Sequence, residues 1–283
     1  MIQAKSLSYT YPNSSSEVLH ALDFEIDKGE IFGFLGPSGA GKSTTQKILY
    51  RILSDFGGDV KIEGKDINAW DKTFFEKIGV GFELPNHYQK LSGKENLALF
   101  GSFYPKEKLR PAEELFELMG MRESMDDRVE TYSKGMKMRL NFMRAIMHDP
   151  EILFFDEPTA GLDPVNAHKI KDLIKELRSR GKTIFITTHN MMTADELCDR
   201  VSFIVEGKIR ITDVPFDLKK AYGKNMVKVG LVGGEKGEFN MKGLGQNPDF
   251  LAFIQQGEIS YIQSQEASLE EVFIKVTGTS LTP

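Results

Sequence analysis

The stretch Gly36-Pro-Ser-Gly-Ala-Gly-Lys42-Ser43 constrains this 283-residue chain more than any other. It fits the pattern G-x-x-x-x-G-K-[ST] in full. It stands between the apolar run Glu30-Ile-Phe-Gly-Phe-Leu35, which reads as a buried strand, and a helical stretch from about residue 43 to 53. In that setting the glycines let successive backbone N–H groups turn inward at the positive end of a helix dipole, a nest suited to phosphate oxygens. Lys42 would neutralise the outer phosphates of a bound nucleotide, and the Ser43 hydroxyl would ligate Mg²⁺ from the other side.

The remaining patterns fit an α/β layout around that loop. Alternation over residues 7–11 and 22–26, separated by the turn-rich Pro12-Asn-Ser-Ser-Ser16, predicts a small antiparallel sheet at the start. From about residue 84 to 147 strand signals fade, while Leu115, Leu118 and Met119 recur at helical spacing, so a helical insert is expected. Ile152-Leu-Phe-Phe155 is a short apolar run ending in acid, typical of a parallel strand buried on both faces, and Thr183-Ile-Phe-Ile-Thr187 is a second. Between them Asp163-Pro164 supplies an N-cap and first-turn proline, and Ile170, Leu173, Ile174 and Leu177 form one apolar face that stops before Gly181. The character changes near Val214-Pro215, dividing the chain into a domain of residues 1–215 and a small C-terminal domain of residues 216–283. The second is expected to lack a continuous buried strand, and Ser268-x-x-Glu271 opens a helix there with Leu269, Val272, Phe273 and Val276 on one face.

Composition narrows the setting. Lys plus Arg minus Asp plus Glu is 36 − 41 = −5, so no overall basic field draws the chain to nucleic acid or anionic lipid. The single cysteine, Cys198, and the start MIQAKSLSYTYP predict a reducing, unexported setting. No run of membrane-spanning length and apolarity occurs, so a membrane role would need a partner.

Hydrolysis of a bound nucleotide also needs a carboxylate for the metal and a base or anchor for the attacking water. Ile152-Leu-Phe-Phe-Asp156-Glu157 offers both, with Asp156 at the carboxyl end of a buried strand, where ligands bind in open α/β sheets, and Glu157 beside it. Taken alone, the pair also reads as an acidic N-cap before Pro158.

Tyr132-Ser-Lys-Gly-Met136, followed by Leu140-x-x-x-Arg144-Ala, resembles the signature segment of ABC-type ATPases. Order and spacing then match that family over nearly all of residues 1–213, with Walker A at Gly36 to Ser43, Walker B at Ile152 to Glu157, the D-loop at Ala160-Gly-Leu-Asp163 and the switch histidine at His189. The resemblance implies a P-loop NTPase core with flanking helices on a parallel sheet, an N-terminal antiparallel β subdomain, an inserted helical subdomain and a small C-terminal α/β appendage. It implies ATP held by Gly36, Pro37, Ser38, Gly39, Ala40, Gly41, Lys42, Ser43 and Thr44, Mg²⁺ on Ser43 and Asp156, and Glu157 and His189 as catalytic residues. It also implies a head-to-tail dimer in which Ser133, Lys134, Gly135 and Met136 cap the nucleotide of a second ATPase subunit, with Asp163 of the D-loop among the nucleotide-binding residues at that interface. Read without the other motifs, Ser133-Lys-Gly is equally an N-cap and turn.

Tyr11 has two readings, the aromatic that stacks on adenine in this family or a strand tyrosine on a wet surface near Tyr9. His20, His87, His148 and His168 read as structural or merely exposed. Where the family commonly carries glutamine after the strand 78–82, this chain has Glu83, a candidate third metal ligand that adds negative charge near the triphosphate; Gln89 lies six residues on. The signature variant with Lys134 and Met136, the Ser268-Leu-Glu-Glu-Val-Phe273 segment and Phe82-Glu-Leu-Pro-Asn86 resemble ATPases paired with export permeases, antibiotic exporters among them. The expectation is therefore a cytoplasmic ATP-hydrolysing subunit, peripheral on the inner face of the cell membrane through a membrane-spanning permease that residues 83–91 would touch, and without nucleic acid. The alternative is a soluble ABC-type ATPase working on ribosomes or DNA, whose usual tandem domains, coiled coils and zinc-binding cysteines are missing here.

Overall fold

The computed structural model describes residues 1–84, 86–223, 226–265 and 267–280, so Pro85 of the Phe82–Asn86 stretch lies outside the described residues. They form two compact units, Met1–Thr212 and a second from Asp213 onward. The first unit begins with β1 (Ile2–Thr10), β2 (Glu17–Ile26), β3 (Ile31–Leu35), α1 (Lys42–Leu49), β4 (Gly57–Ile62), β5 (Lys65–Asp66), α2 (Phe74–Lys77) and β6 (Ile78–Gly81). It continues through α3 (Gly93–Gly101), α4 (Ala112–Leu118), α5 (Lys134–Ile146), β7 (Ile152–Asp156), α6 (Pro164–Ser179), β8 (Thr183–Thr188), α7 (Met191–Leu197), β9 (Arg200–Val205) and β10 (Lys208–Asp213).

Two sheets build this unit. The first runs β2-β1-β4-β5, and β1 is antiparallel to both neighbours, with Ile2 opposite Ile26 on one side and Ile62 on the other. Strand β1 starts well before the expected residue 7, because Ile2 and Ala4 continue the buried face. The second sheet runs β10-β9-β3-β8-β7-β6, with β9, β3, β8, β7 and β6 parallel, as short apolar runs buried on both faces require. Phe24 of β2 meets Phe34 of β3 at 5.1 Å between ring centroids, and Phe34 meets Phe185 of β8 at 5.1 Å, so aromatic rings join the two sheets. Between β6 and β7 the described residues form helices and turns, with one isolated antiparallel bridge between Ser92 and Arg128 and no strand.

Helix α1 ends at Leu49 rather than near residue 53. Arg51 takes a left-handed backbone with φ 62°, and the amides of Ile52 and Leu53 turn back to the Lys47 carbonyl at 2.8 and 3.1 Å, closing the helix. Helix α6 starts as its sequence predicts: the Asp163 side chain accepts from the Asn166 amide, and Pro164 occupies the first turn.

The second unit comprises α8 (Pro215–Tyr222), β11 (Met226–Leu231), β12 (Lys236–Asn240), α9 (Pro248–Ile254), β13 (Ile259–Gln265) and α10 (Leu269–Thr277). Its sheet, β12-β11-β13, corrects the expectation that no buried strand would occur there, since Val229, Gly230 and Leu231 are buried in succession. Lys228 and Gly230 hid it from the apolar pattern. Lys228 pairs across the ladder with Glu238 at 3.3 Å, and Gly230 makes room for the ring of Tyr261. Helix α10 opens on a capping box: the Glu271 amide donates to Ser268 Oγ at 3.1 Å and the Ser268 amide to Glu271 Oε2 at 2.9 Å. Leu269, Val272 and Phe273 are buried beneath it, and no helix among the described residues is long and apolar enough to cross a membrane.

Candidate active site

Four adjacent parallel strands, β3, β8, β7 and β6, deliver the candidate residues from their carboxyl ends. Strand β3 runs into the phosphate loop, β7 ends at Asp156 with Glu157 next, β8 is followed by His189, and Glu83 lies two residues beyond β6. Parallel pairing sets Asp156 level with Thr187, so the acid and the end of β8 face the same space.

The phosphate loop owes its path to steric limits. A Cβ on Gly36 would sit 2.0 Å from the Ile204 carbonyl oxygen of β9, so only glycine passes there. Gly41, at φ 103°, caps α1 with no side-chain hydrogen bond, which leaves the first amides of the helix for a ligand. Lys42 is buried, and its ammonium donates to the carbonyls of Gly36 at 2.6 Å and Pro37 at 2.9 Å, folding back over the loop. Burial holds its pKa below the usual lysine range, with Glu157, Asp156 and Glu83 opposing the shift. All three carboxylates therefore lie within electrostatic range of this ammonium.

Hydroxyls orient the acids. Ser43 Oγ donates to Asp156 Oδ2 at 3.0 Å, and Thr187 Oγ1 donates to Asp156 Oδ1 at 2.5 Å. Glu157 is buried and takes a left-handed backbone at φ 49°, an uncommon conformation for a residue with a side chain. Thr188 Oγ1 donates to its Oε2 at 2.7 Å, while the amide of His189 and the ring Nδ1–H donate to its Oε1 at 2.8 and 2.6 Å. His189 itself is exposed. Among the described residues no cluster of three or more His, Cys, Asp or Glu forms a metal cage of its own. A serine hydroxyl and one carboxylate, hydrogen-bonded beside a phosphate loop, instead fit Mg²⁺ shared with substrate phosphates.

The other predicted residues are placed as follows. Tyr11 is half-buried, with Oη 3.1 Å from Thr44 Oγ1 and its ring edge-on to Tyr9 at 5.0 Å, so it is tied to α1. Ser133 caps α5 by accepting from the Met136 amide at 3.2 Å, and Lys134 lies along the D-loop at Gly161. No hydrogen bond or ion pair among the described residues joins Ser133, Lys134, Gly135 or Met136 to the phosphate loop of the same chain. Asp163 caps α6, and its hydrogen bonds to Asn166 hold its carboxyl below the usual range. Glu83 is exposed, and Gln89 turns away to the His87 carbonyl at 3.2 Å. Both His87 and His148 are buried structural groups, donating to the Lys137 and Ile78 carbonyls at 3.0 and 2.8 Å.

Sequence reading passed over Thr187, Thr188 and Gln46. The two threonines end an apolar strand and are the hydroxyls that aim Asp156 and Glu157, while Gln46 Nε2 anchors α1 to the Phe155 carbonyl at 3.1 Å. The available signal was a pair of hydroxyl residues closing the strand just before the candidate histidine.

The profile of the ABC transporter family matches residues 19–160. The chain is 49% identical to the fluoroquinolones export ATP-binding protein of Mycobacterium tuberculosis, over 100% of this chain and 95% of that protein. It is 31% identical to the bacitracin transport ATP-binding protein of Bacillus licheniformis, over 97% of each. Among solved structures it is similar to a dimeric ATP-binding cassette in a post-hydrolysis state bound to ADP and Pi, with a TM-score of 0.68, 26% identity, and coverage of 76% of this chain and 98% of that one.

Proposed function

The chain belongs to the ABC transporter family as an ATP-binding, ATP-hydrolysing subunit, and from that premise we propose that it powers drug export through a separate membrane-spanning permease. The carrying observation is the convergence of the phosphate loop, Asp156, Glu157 and His189 at the ends of adjacent strands. In this reading Gly36 to Thr44 cradle the triphosphate, Lys42 turns from its loop carbonyls to the outer phosphates, and Tyr11 faces the adenine. Ser43 and Asp156 would hold Mg²⁺, with Glu83, two residues beyond β6, as a further candidate ligand. When bound, the metal neutralises phosphate charge and orients the leaving group. Glu157 accepts a proton from the attacking water, and His189 steadies that carboxylate through Oε1.

Because Ser133, Lys134, Gly135 and Met136 serve no phosphate loop within their own chain, they complete the site of a second copy, with Asp163 at the same seam. Two chains then enclose two nucleotides head to tail. An apolar groove of about 280 Å³ lined by Tyr50, Phe75, Phe82, Phe100, Phe103 and Arg144 would receive the permease; Phe103 in that lining is 76% exposed, and Leu84, two residues after Phe82 in sequence, is 79% exposed. The chain would then lie on the cytoplasmic face of the membrane, with residues 216–283 as a separate appendage to the ATPase domain 1–215. The cargo would be a fluoroquinolone or a drug of like chemistry, on the strength of the 49% identity.

The test is purification of the tagged chain from its host membranes and measurement of fluoroquinolone accumulation. An integral-membrane protein should co-purify and be lost in Phe103→Asp, and cells carrying Lys42→Ala should accumulate more drug than wild type. Absence of any membrane partner refutes the transporter reading. Equal accumulation refutes the cargo.

A further inference from the structure

The peptide that leads into Glu83 is held from the side of α5. Asn141, only 2% exposed, donates from Nδ2 to the Phe82 carbonyl at 2.7 Å, and its Oδ1 accepts from Arg144 Nη2 at 3.0 Å. Arg144 donates again to the Asn86 carbonyl at 3.3 Å, with its guanidinium 5.5 Å from the centroid of Phe82 and 4.6 Å from that of Phe100. From the loop side, His87 donates to the Lys137 carbonyl of α5 at 3.0 Å. Three side chains thus fasten Phe82, Asn86 and His87 to one helix.

Asn141 is out of place by helix propensity and by burial. Asparagine is a weak former in a helix interior, and a buried amide costs free energy unless its polar atoms are bonded. Here the amide nitrogen and the oxygen both find partners, and the nitrogen's partner is the carbonyl of a planar peptide whose other half is the Glu83 amide. Holding that plane fixes the position of the Glu83 Cα, from which the side chain departs.

We propose that Asn141 is a positioning residue that aims Glu83 at the metal and phosphates of its own subunit. This rests on the reading of Glu83 as a metal ligand. Arg144 acts behind it, fixing the amide so that its nitrogen, not its oxygen, meets the carbonyl.

The experiment is a Mg²⁺ titration of the full chain, read as binding of a fluorescent ATP analogue and as turnover, for wild type, Asn141→Ala, Glu83→Ala and the double variant. Asn141→Ala should raise the Mg²⁺ midpoint about two- to tenfold, the worth of one buried hydrogen bond. Glu83→Ala should raise it too, and the double variant should match Glu83→Ala alone, because Asn141 has nothing left to aim. If Asn141→Ala lowers thermal stability but leaves the midpoint unmoved, or if the two effects multiply, Asn141 is a structural latch and the proposal fails while Glu83 stands. If Glu83→Ala leaves the midpoint unmoved, the metal role of Glu83 fails and the proposal with it. Should Asn141→Ala not fold, Asn141→Ser, which keeps a polar group in the buried site, carries the same measurement.

Discussion

Replacing Glu157 by glutamine separates folding, binding and chemistry. In the native site Oε1 accepts from the amide and the ring of His189, and Oε2 accepts from Thr188 Oγ1. A glutamine oxygen in the place of Oε1 keeps both His189 bonds. Its NH₂ then faces Thr188 Oγ1, which accepts from the Asn190 amide at 3.0 Å and has a second lone pair free for it. Three charge-assisted hydrogen bonds become neutral ones, but a buried carboxylate is also removed, so the net loss of stability is about 1–2 kcal/mol. Loss of a general base costs about 10²- to 10⁴-fold in turnover, or roughly 3–5 kcal/mol at the transition state. The catalytic effect wins, and Glu157→Gln should fold, bind ATP near wild-type affinity and hydrolyse it at least a hundredfold more slowly. With ATP retained, the two-nucleotide dimer should accumulate. Light scattering after gel filtration with saturating Mg-ATP checks this, beside a single-turnover phosphate assay. A variant that stays monomeric at high concentration would refute the sandwich arrangement, and one that hydrolyses ATP at the wild-type rate would refute the role of Glu157.

Lys42→Ala should weaken ATP binding about a hundredfold, the loss of two charge-assisted contacts to phosphate, with thermal stability little changed; calorimetric titration measures it. Gly36→Ala drives a methyl to within 2.0 Å of the Ile204 carbonyl oxygen and should cost about 2 kcal/mol or more of stability, as well as ATP binding, both read by thermal unfolding with and without nucleotide. Burial lowers the pKa of His87 to about 4, against 6.5 in an unfolded chain, so between those values the unfolded state binds more protons. Its contribution is complete above pH 6.5 and is lost as pH falls toward 4, at most about 3 kcal/mol. Urea unfolding at pH 7 and pH 5 should show a smaller loss for His87→Gln than for wild type, and equal losses would contradict the assignment.

Much of the fold was legible in local patterns. Apolar runs gave away β3, β7 and β8 because both faces of a parallel strand are buried, and Asp163-Pro164 marked the start of α6. Element ends were less legible. The end of α1 depends on Arg51, whose guanidinium bonds the Trp70 carbonyl at 2.7 Å, a partner that no helical pattern encodes. Strand β11 was hidden because a lysine and a glycine interrupt its apolar run, and only Glu238 and Tyr261 on the neighbouring strands make them acceptable there.

The phosphate loop with which the chain announces itself needs little tertiary help to be read, since glycines, lysine and serine at fixed spacing already prescribe a nest, a cation and a metal ligand. The acidic end of β7 is read the same way, from contiguous residues and their position after the loop. Only the folded chain decided which hydroxyls aim those acids, that Glu83 lies within range of Lys42, and that Asn141 grips the peptide before it. These contacts join segments 31 to 59 residues apart, and lateral strand register and helix packing bring them together. Local periodicity specifies which face of an element is buried, not which residue of a neighbouring element it will meet.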